Sequence, residues 1–521
     1  MERKPHVAVI GAGLAGLRCA DLLIQNGARV TIFEARDRMG GRIVQEKIGE
    51  HLVDLGANWI HCTRTNPIIE LAELTKTHLE DWDGVQATLG PDGKLIDEQM
   101  DEKVSKFVWG TINDAFAYSE NHGDSISSER SLLDYFCEKV EQTSFTAAEK
   151  ALCLESCKLW GTYMGEPVWR QSLKFFKLEQ CIDGSKSSYT LPLKGWADMF
   201  TRTANLFVTA TFKAILDAVA RTARQHADIH LSEPVTRIDA QPRQSLTPRS
   251  PIAVTTSANK TYTFDEVIVT SPLGWLKRNK SMFSPALTPR LSAAIDNISY
   301  GRLEKVYVTF PRAWWHSETT NFQAIASSYP PFTQFLEPDP QDISSTVRPA
   351  NIPWNQECLS LAALGKDFAH PTLLFYTYGD CGSYIVSQIK DLPKHSQQYN
   401  AFLDAFVRPF YSLLPEFSAS NSDCVPTAFL ATEWQNDPWA GNGSYCNFQV
   451  GVQEADKDIE VMREGMGKER GVWFAGEHTS PFEGLGTTTG AYWSGDRVAG
   501  QVCEALGLSG KGQVGPRVSH L

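Results

Sequence analysis

Gly11, Gly13 and Gly16 carry the first chemistry legible in this 521-residue chain. They follow an apolar, β-branched run at 6–10 that suits a buried parallel strand, and they lead into a stretch at 14–26 that reads as a helix. In that order Gly11 permits a tight turn, and Gly13 lets backbone N–H groups approach a pyrophosphate. Gly16 lets the helix pack closely on the strand, with its positive N-terminal end toward the anion. A second strand at 28–33 ends in Glu34, whose carboxylate can accept hydrogen bonds from adenosine ribose hydroxyls. Three spaced glycines alone make an ordinary loop; strand, glycines, helix, strand and terminal acid in succession predict dinucleotide binding.

Further chemistry-bearing residues follow at once. Segment 35–43 holds Arg36 and the run Gly40-Gly41-Arg42, in which two glycines suit a backbone turn against phosphate. A guanidinium is then available to neutralise that phosphate, and Arg36, Gly41 and Arg42 count as cofactor-facing. Segment 53–61 reads as a strand breaking into a glycine turn, with Trp59 as an aromatic and His61 as a titratable group. Singly, Arg42 reads as a solvated arginine, Trp59 as core and His61 as a structural histidine.

The elements that must position these groups are spread along the chain. Residues 131–160 contain helix-like stretches, 173–180 reads as a strand, and 193–199 returns the chain to the nucleotide unit and starts a helix running through 223. Strands are expected at 229–239 and 252–263 around a Pro-rich connection at 242–251, and again at 266–271. Segments 305–310 and 373–378 read as strands of a second sheet, and the Pro-rich 328–354 as an irregular rim loop. Near the end, a strand at 471–476 precedes Glu477, and a second glycine-rich turn leads into a helix at 491–506.

Composition narrows the function classes. Length allows two or three domains, and 42% hydrophobic with 21% charged residues reads as soluble and globular. There is no apolar run of about 18 residues, so no membrane span is expected, and the chain enters its first strand too early for a secretory signal. Eleven cysteines lack metal-like spacing, which predicts reduced thiols and no metal site; Cys153 and Cys157 suit a buried helix face. A net charge of −12 argues against nucleic acid and mildly favours a cationic ligand.

Together with Gly56-Ala57-Asn58-Trp59, the first glycine motif, Glu34 and Gly40-Gly41-Arg42 resemble the flavin-containing amine oxidases. Segments 270–276, 283–285 and 298–306 look like that family's middle block, and 473–479 and 486–491 like its C-terminal block. The resemblance runs from about residue 5 to 505, and Trp59-Ile60-His61 followed by Thr65-Asn66-Pro67 is most similar to fungal polyamine oxidases.

The resemblance implies an α/β fold in which a discontinuous Rossmann-type FAD-binding domain (1–79, 193–298 and 424–508) interleaves with an α+β substrate domain. That second domain, a mixed sheet flanked by helices, would take 80–192 and 299–423, leaving a flexible tail at 509–521. It implies that Gly56, Ala57, Asn58 and Trp59 contact the cofactor, that the Val235 backbone touches adenine, and that Glu477 and the Thr488 backbone reach the cofactor, Thr488 at the flavin pyrimidine edge. A helix start there stabilises charge on a reduced flavin, which a simple NAD enzyme would not need; FAD is therefore expected over NAD. Lys305, alone a solvated strand residue, would hold a water against flavin N5, and His61 would line the amine site with Trp59, Trp434, Tyr445 and Thr487.

Two departures refine the expectation. Ser444 stands where monoamine oxidases carry the flavin-linking cysteine, with Cys446 two residues late, so the FAD should be non-covalent. Thr487 replaces an aromatic cage wall, which favours a wider, more polar channel for a long amine. The implied reaction is oxidation of polyamines (spermine, N-acetylated polyamines or spermidine) by hydride transfer to flavin N5, with imine hydrolysis to an aldehyde and a shorter amine, and reduction of molecular oxygen to hydrogen peroxide. Alternatives are another flavin amine or amino-acid oxidase, for which no carboxylate-binding arginine is identified, and a non-catalytic flavin-binding interaction protein. A histone-demethylase reading lacks an obvious long helical insertion. Ser519-His520-Leu521 is a near variant of the Ser-Lys-Leu peroxisomal address, so a peroxisomal import receptor is an expected partner and the cytoplasm the alternative location.

Overall fold

The computed structural model describes residues 3–61, 66–81, 86–180, 205–243, 250–316, 329–338, 348–349, 352–365 and 367–508. Its first sheet is five-stranded and wholly parallel, in the order Val472–Phe474, Glu266–Val269, His6–Ile10, Arg29–Phe33, Asp228–His230. The beginning, middle and end of the chain thus meet in one layer. Side-chain alternation explains its burial on both faces. Val7 and Val9 pack with the helices Leu14–Gln25, Lys213–His226 and Thr488–Leu506, while Ala8 and Ile10 pack on the opposite side with Val254, Val269 and Leu291.

The second sheet is six-stranded and mixed, in the order Ala428–Ala431, Glu304–Thr309, Thr372–Thr377, Gln356–Ser360, Phe332–Phe335, Gln86–Leu89. Glu304–Thr309 and Thr372–Thr377 are buried along their whole length. Val306, Val308, Leu373 and Phe375 face the helices Gly379–Ile389 and Gln397–Tyr411. Tyr307, Leu374 and Tyr376 face the other way, toward the hairpin Gln45–Ile48 and His51–Asp54. The mixed α/β class expected from the sequence is the observed one.

Several expected elements differ. Residues 173–180 form no strand: Phe176–Glu179 is a 3-10 turn. Leu173 and Phe176 enter one core while Phe175 and Leu178 enter another, a three-residue repeat that suits this helix and no strand. Of the helix expected through 223, the described residues hold Lys213–His226; the described residues just before it are not helical, because Leu206–Val208 pairs with Trp59–Ile60 and Leu79–Glu80 and Thr211 then turns with φ +73°. Segment 229–239 splits at Ser232, φ +55°, into strands belonging to different sheets. Within 328–354, Phe332–Phe335 is an inner strand rather than a rim loop, held between Gln356–Ser360 and Gln86–Leu89. The expected chain return at 193–199, Thr65 and the tail 509–521 lie outside the described residues. Among those described, no helix is long and apolar enough to cross a membrane.

Candidate active site

The glycine motif folds into a cradle. At Gly16 a Cβ would sit 2.1 Å from the Gly11 oxygen, so only glycine lets helix Leu14–Gln25 start this close to the strand. Gly11 itself, at φ +107°, backs onto the Thr270 side chain. Space opens beside Gly13, where a Cβ would meet nothing within 4 Å. That glycine is the N-cap of the helix, with no side-chain cap and no acidic residue in the first turn. The uncapped N–H groups and positive helix end are therefore available to an anion, and these residues fit a dinucleotide pyrophosphate. Glu34 is buried and staples the cradle: its Oε2 accepts from the Ala12 N–H at 2.8 Å and its Oε1 from the Arg36 N–H at 2.9 Å. Each oxygen keeps a lone pair for a ribose hydroxyl. Val235 starts a strand nearby, two residues after Glu233, whose N–H donates to the Glu34 carbonyl.

The two arginines expected at phosphate have partners within the protein. Arg36 pairs with Asp437 at 2.6 Å. Arg42 Nη1 donates to the Tyr300 hydroxyl at 3.0 Å, to the Ser444 carbonyl at 2.5 Å and to Glu477 Oε1 at 3.1 Å. Burial opposes ionisation of Glu477, but Arg42 beside it, together with His478 and a hydrogen bond from Cys446, outweighs that cost and holds the carboxyl below its ordinary pKa. Arg42 thus joins the Gly40-Gly41 turn to the start of the C-terminal block instead of standing free. Gly56 completes the join, because a Cβ there would lie 1.7 Å from the Arg42 oxygen.

Lys305 reaches this place from the second sheet. It is 5% exposed, and its ammonium donates to the Asp54 carbonyl at 3.2 Å, to the Gly56 carbonyl and to Asn58 Oδ1. Three donors meet three acceptors, so the lysine braces the turn 54–58. Burial pushes its pKa down, opposed in part by Asp54 and Glu304. Burial pushes the Asp54 carboxyl up, although the Gln45 amide and Phe212 N–H both donate to it. A neutral Lys305 would keep two of its donors and offer a lone pair to water.

Around the turn stand the other expected residues. Trp59 Nε1 donates to the Tyr376 hydroxyl at 3.1 Å, and its ring lies against Phe207 and Phe332. His61 Nδ1 meets Asn205 Oδ1 at 2.7 Å, which places the proton on Nδ1; burial lowers the ring pKa and this bond raises it in part. The His61 carbonyl accepts from the Asn66 amide, which also donates to Thr489 in the last helix. Trp434 Nε1 donates to the Leu55 carbonyl at 3.3 Å. Tyr445 donates to the Tyr163 carbonyl and flanks Gly486, where a Cβ would lie 3.4 Å from its ring.

Thr487 does not give its hydroxyl to a channel. It is the N-cap of helix Thr488–Leu506, where its Oγ1 accepts from the Gly490 N–H at 2.9 Å and donates to the Gly484 carbonyl at 2.8 Å. A helix start leaves N–H groups that a threonine hydroxyl satisfies, and that demand decides the rotamer. Thr488 Oγ1, next in line, is buried without a partner among the described residues.

Sequence reasoning missed Asp54, Tyr300, Glu304 and Tyr376. Glu304 accepts from the Trp434 and Gln435 N–H groups and from the Thr432 hydroxyl, which sets the Trp434 turn. Only Asp54 left a trace in the sequence, as an acid inside an apolar run.

The family described as flavin containing amine oxidoreductase matches residues 14–503. The chain is 24% identical over 475 residues to "Probable polyamine oxidase 4" of Arabidopsis thaliana, covering 87% of this chain and 78% of that protein. It is 24% identical over 530 residues to the human "Peroxisomal N(1)-acetyl-spermine/spermidine oxidase", covering 95% and 94%. It is also 24% identical over 507 residues to the human "Lysine-specific histone demethylase 2", covering 95% of this chain but only 53% of that protein's length.

Proposed function

Because the chain belongs to the flavin-containing amine oxidoreductases, we propose that it is an FAD-dependent oxidase of polyamines. A bound flavin would supply two-electron oxidation of the carbon beside an amine nitrogen to an imine, with oxygen taken to peroxide and water hydrolysing the imine to an aldehyde and a shorter amine. The observation that carries the reading is Lys305, a buried cation bonded to the turn 54–58 beside the dinucleotide cradle. Its depressed pKa lets it exchange between a charged form, suited to stabilising reduced oxygen, and a neutral form that accepts a proton. In this reading Trp59, Trp434 and Tyr445 wall the amine site, and His61, whose Nδ1 is engaged by Asn205, has its other ring nitrogen left for the amine. Two relatives that match along most of their own length carry polyamine substrates in their names, which supports the substrate class.

Anaerobic mixing of the holoenzyme with spermine, N-acetylspermine, benzylamine, an amino acid and a methyl-lysine peptide tests the reading. Bleaching fastest with a polyamine is expected. Faster bleaching by benzylamine or the peptide reverses the substrate assignment, and bleaching by none indicates a flavin-binding protein without turnover. Non-covalent FAD belongs to the same reading, supported by Ser444 standing where the resemblance places a flavin-linking cysteine; acid precipitation should leave the colour in the supernatant. Peroxisomal location through Ser519-His520-Leu521 belongs to the same reading, because peroxide is destroyed there. A fluorescent protein carrying the last twelve residues should become punctate only with that tripeptide present.

A further inference from the structure

Lys305 begins a polar row that crosses the second sheet. It lies directly opposite Tyr376, Tyr376 opposite Glu357, and Glu357 opposite Gln334. Directly paired residues share a face, so all four side chains stand on one side of four adjacent strands. The Lys305 ammonium lies 6.0 Å from the Tyr376 ring centre. A buried sheet ordinarily fills such a row with apolar residues, as Val306, Phe375 and Cys358 do on the opposite face.

Glu357 is the unusual member. It is 4% exposed, and its Oε2 accepts from the Tyr163 hydroxyl at 3.1 Å and the Gln334 amide at 3.3 Å. Its Oε1 has no hydrogen bond among the described residues, and no cation among them faces the group. Burial pushes its pKa up to about 7. Tyr163 and Gln334, the two donors that hold it, also line a small neighbouring cavity of about 20 Å³, whose other walls include Trp109, Trp160 and the Asp101 carboxyl and do not include Glu357 itself. Aromatic faces and carboxylates together are what an ammonium group requires on leaving water.

We propose that Glu357 is the counter-ion for a second ammonium of the substrate, so that an extended amine lies across the strands from Lys305. Two strand spacings, about 10 Å, separate the two positions. The register of the sheet would then select amines by the distance between their nitrogens. This inference rests on the amine-oxidase reading above.

Glu357→Gln keeps the side-chain shape and removes the charge, while Glu357→Asp keeps the charge and withdraws it. Steady-state kinetics with spermine and with a secondary monoamine are compared in the wild type and both variants. For spermine, Glu357→Gln should raise KM about 10- to 100-fold with a much smaller change in kcat, and Glu357→Asp should fall between it and the wild type. The monoamine KM should move far less. The wild-type KM for spermine should also fall as pH rises through about 7, where Glu357 ionises, and this limb should disappear in Glu357→Gln. As a readout independent of turnover, spermine should raise the melting temperature of the wild-type holoenzyme more than that of Glu357→Gln. An equal change for both amines, or none, overturns the counter-ion role even if the wild type oxidises polyamines. A wild type that no polyamine reduces or stabilises overturns the proposed function and this inference together.

Discussion

Arg42 and Glu477, 435 residues apart in the chain, meet at 3.1 Å and tie the first glycine-rich segment to the last one. Glu477 is nearly inaccessible and Arg42 partly so, which makes the pair a join between halves of the cofactor site. Arg42→Ala leaves a buried carboxylate unpaired and should cost about 2–4 kcal/mol. The expected outcome is a lower urea midpoint and faster loss of flavin on dialysis. Arg42→Ala combined with Glu477→Gln should recover part of that loss, as a double-mutant cycle would measure; purely additive effects would show that the pair is not coupled.

Lys305→Met should retain flavin and fold while slowing reduction by amine, reoxidation by oxygen, or both. It also strips the donor from the Asp54 and Gly56 carbonyls and from Asn58, so about 1–3 kcal/mol of stability should go with it. Stopped-flow half-reactions and urea unfolding on the same preparation separate the two effects. Unchanged half-reactions alongside lower stability would make Lys305 a brace and nothing more.

Thr487→Val should cost about 1 kcal/mol by removing the cap on Gly490. The measurable outcome is a fall in melting temperature without a change of rank order among amine substrates. A switch of preference toward aromatic monoamines would instead restore the channel role that the residue type first suggested.

Glu304 predicts a pH dependence. Burial, opposed by its hydrogen bonds from Thr432, Gln435 and Trp434, pushes its carboxyl up to about 7. The folded state therefore binds this proton more tightly than the unfolded chain does. Stability is present below the ordinary carboxylate range and is lost as pH rises from there through about 7, by at most about 1.4 kcal/mol per pH unit. Glu304→Gln should be less stable overall, since an amide cannot accept every bond the carboxylate does. Its loss of stability between pH 5 and pH 8, followed by urea unfolding, should nevertheless be smaller than that of the wild type. An identical slope in both would show that Glu304 does not titrate in this range.

What the sequence determined by itself was local. A glycine is legible because the missing Cβ is a property of the residue, so the cradle at Gly11, Gly13 and Gly16 could be read without a structure. Short apolar runs likewise announce His6–Ile10, Glu304–Thr309 and Thr372–Thr377, because a strand covered on both faces needs apolar side chains on each. The choice of partner was decided by tertiary structure. Arg42 takes Glu477, and Thr487 caps its helix, because burial makes every unpaired polar group costly and the nearest complementary group satisfies it. Phe332–Phe335 becomes a strand because Gln356–Ser360 and Gln86–Leu89 supply the missing halves of its hydrogen bonds, which its own residues cannot signal. The row from Lys305 to Glu357 exists only through pairing register, since no spacing along one chain segment encodes which residues of three strands stand opposite one another.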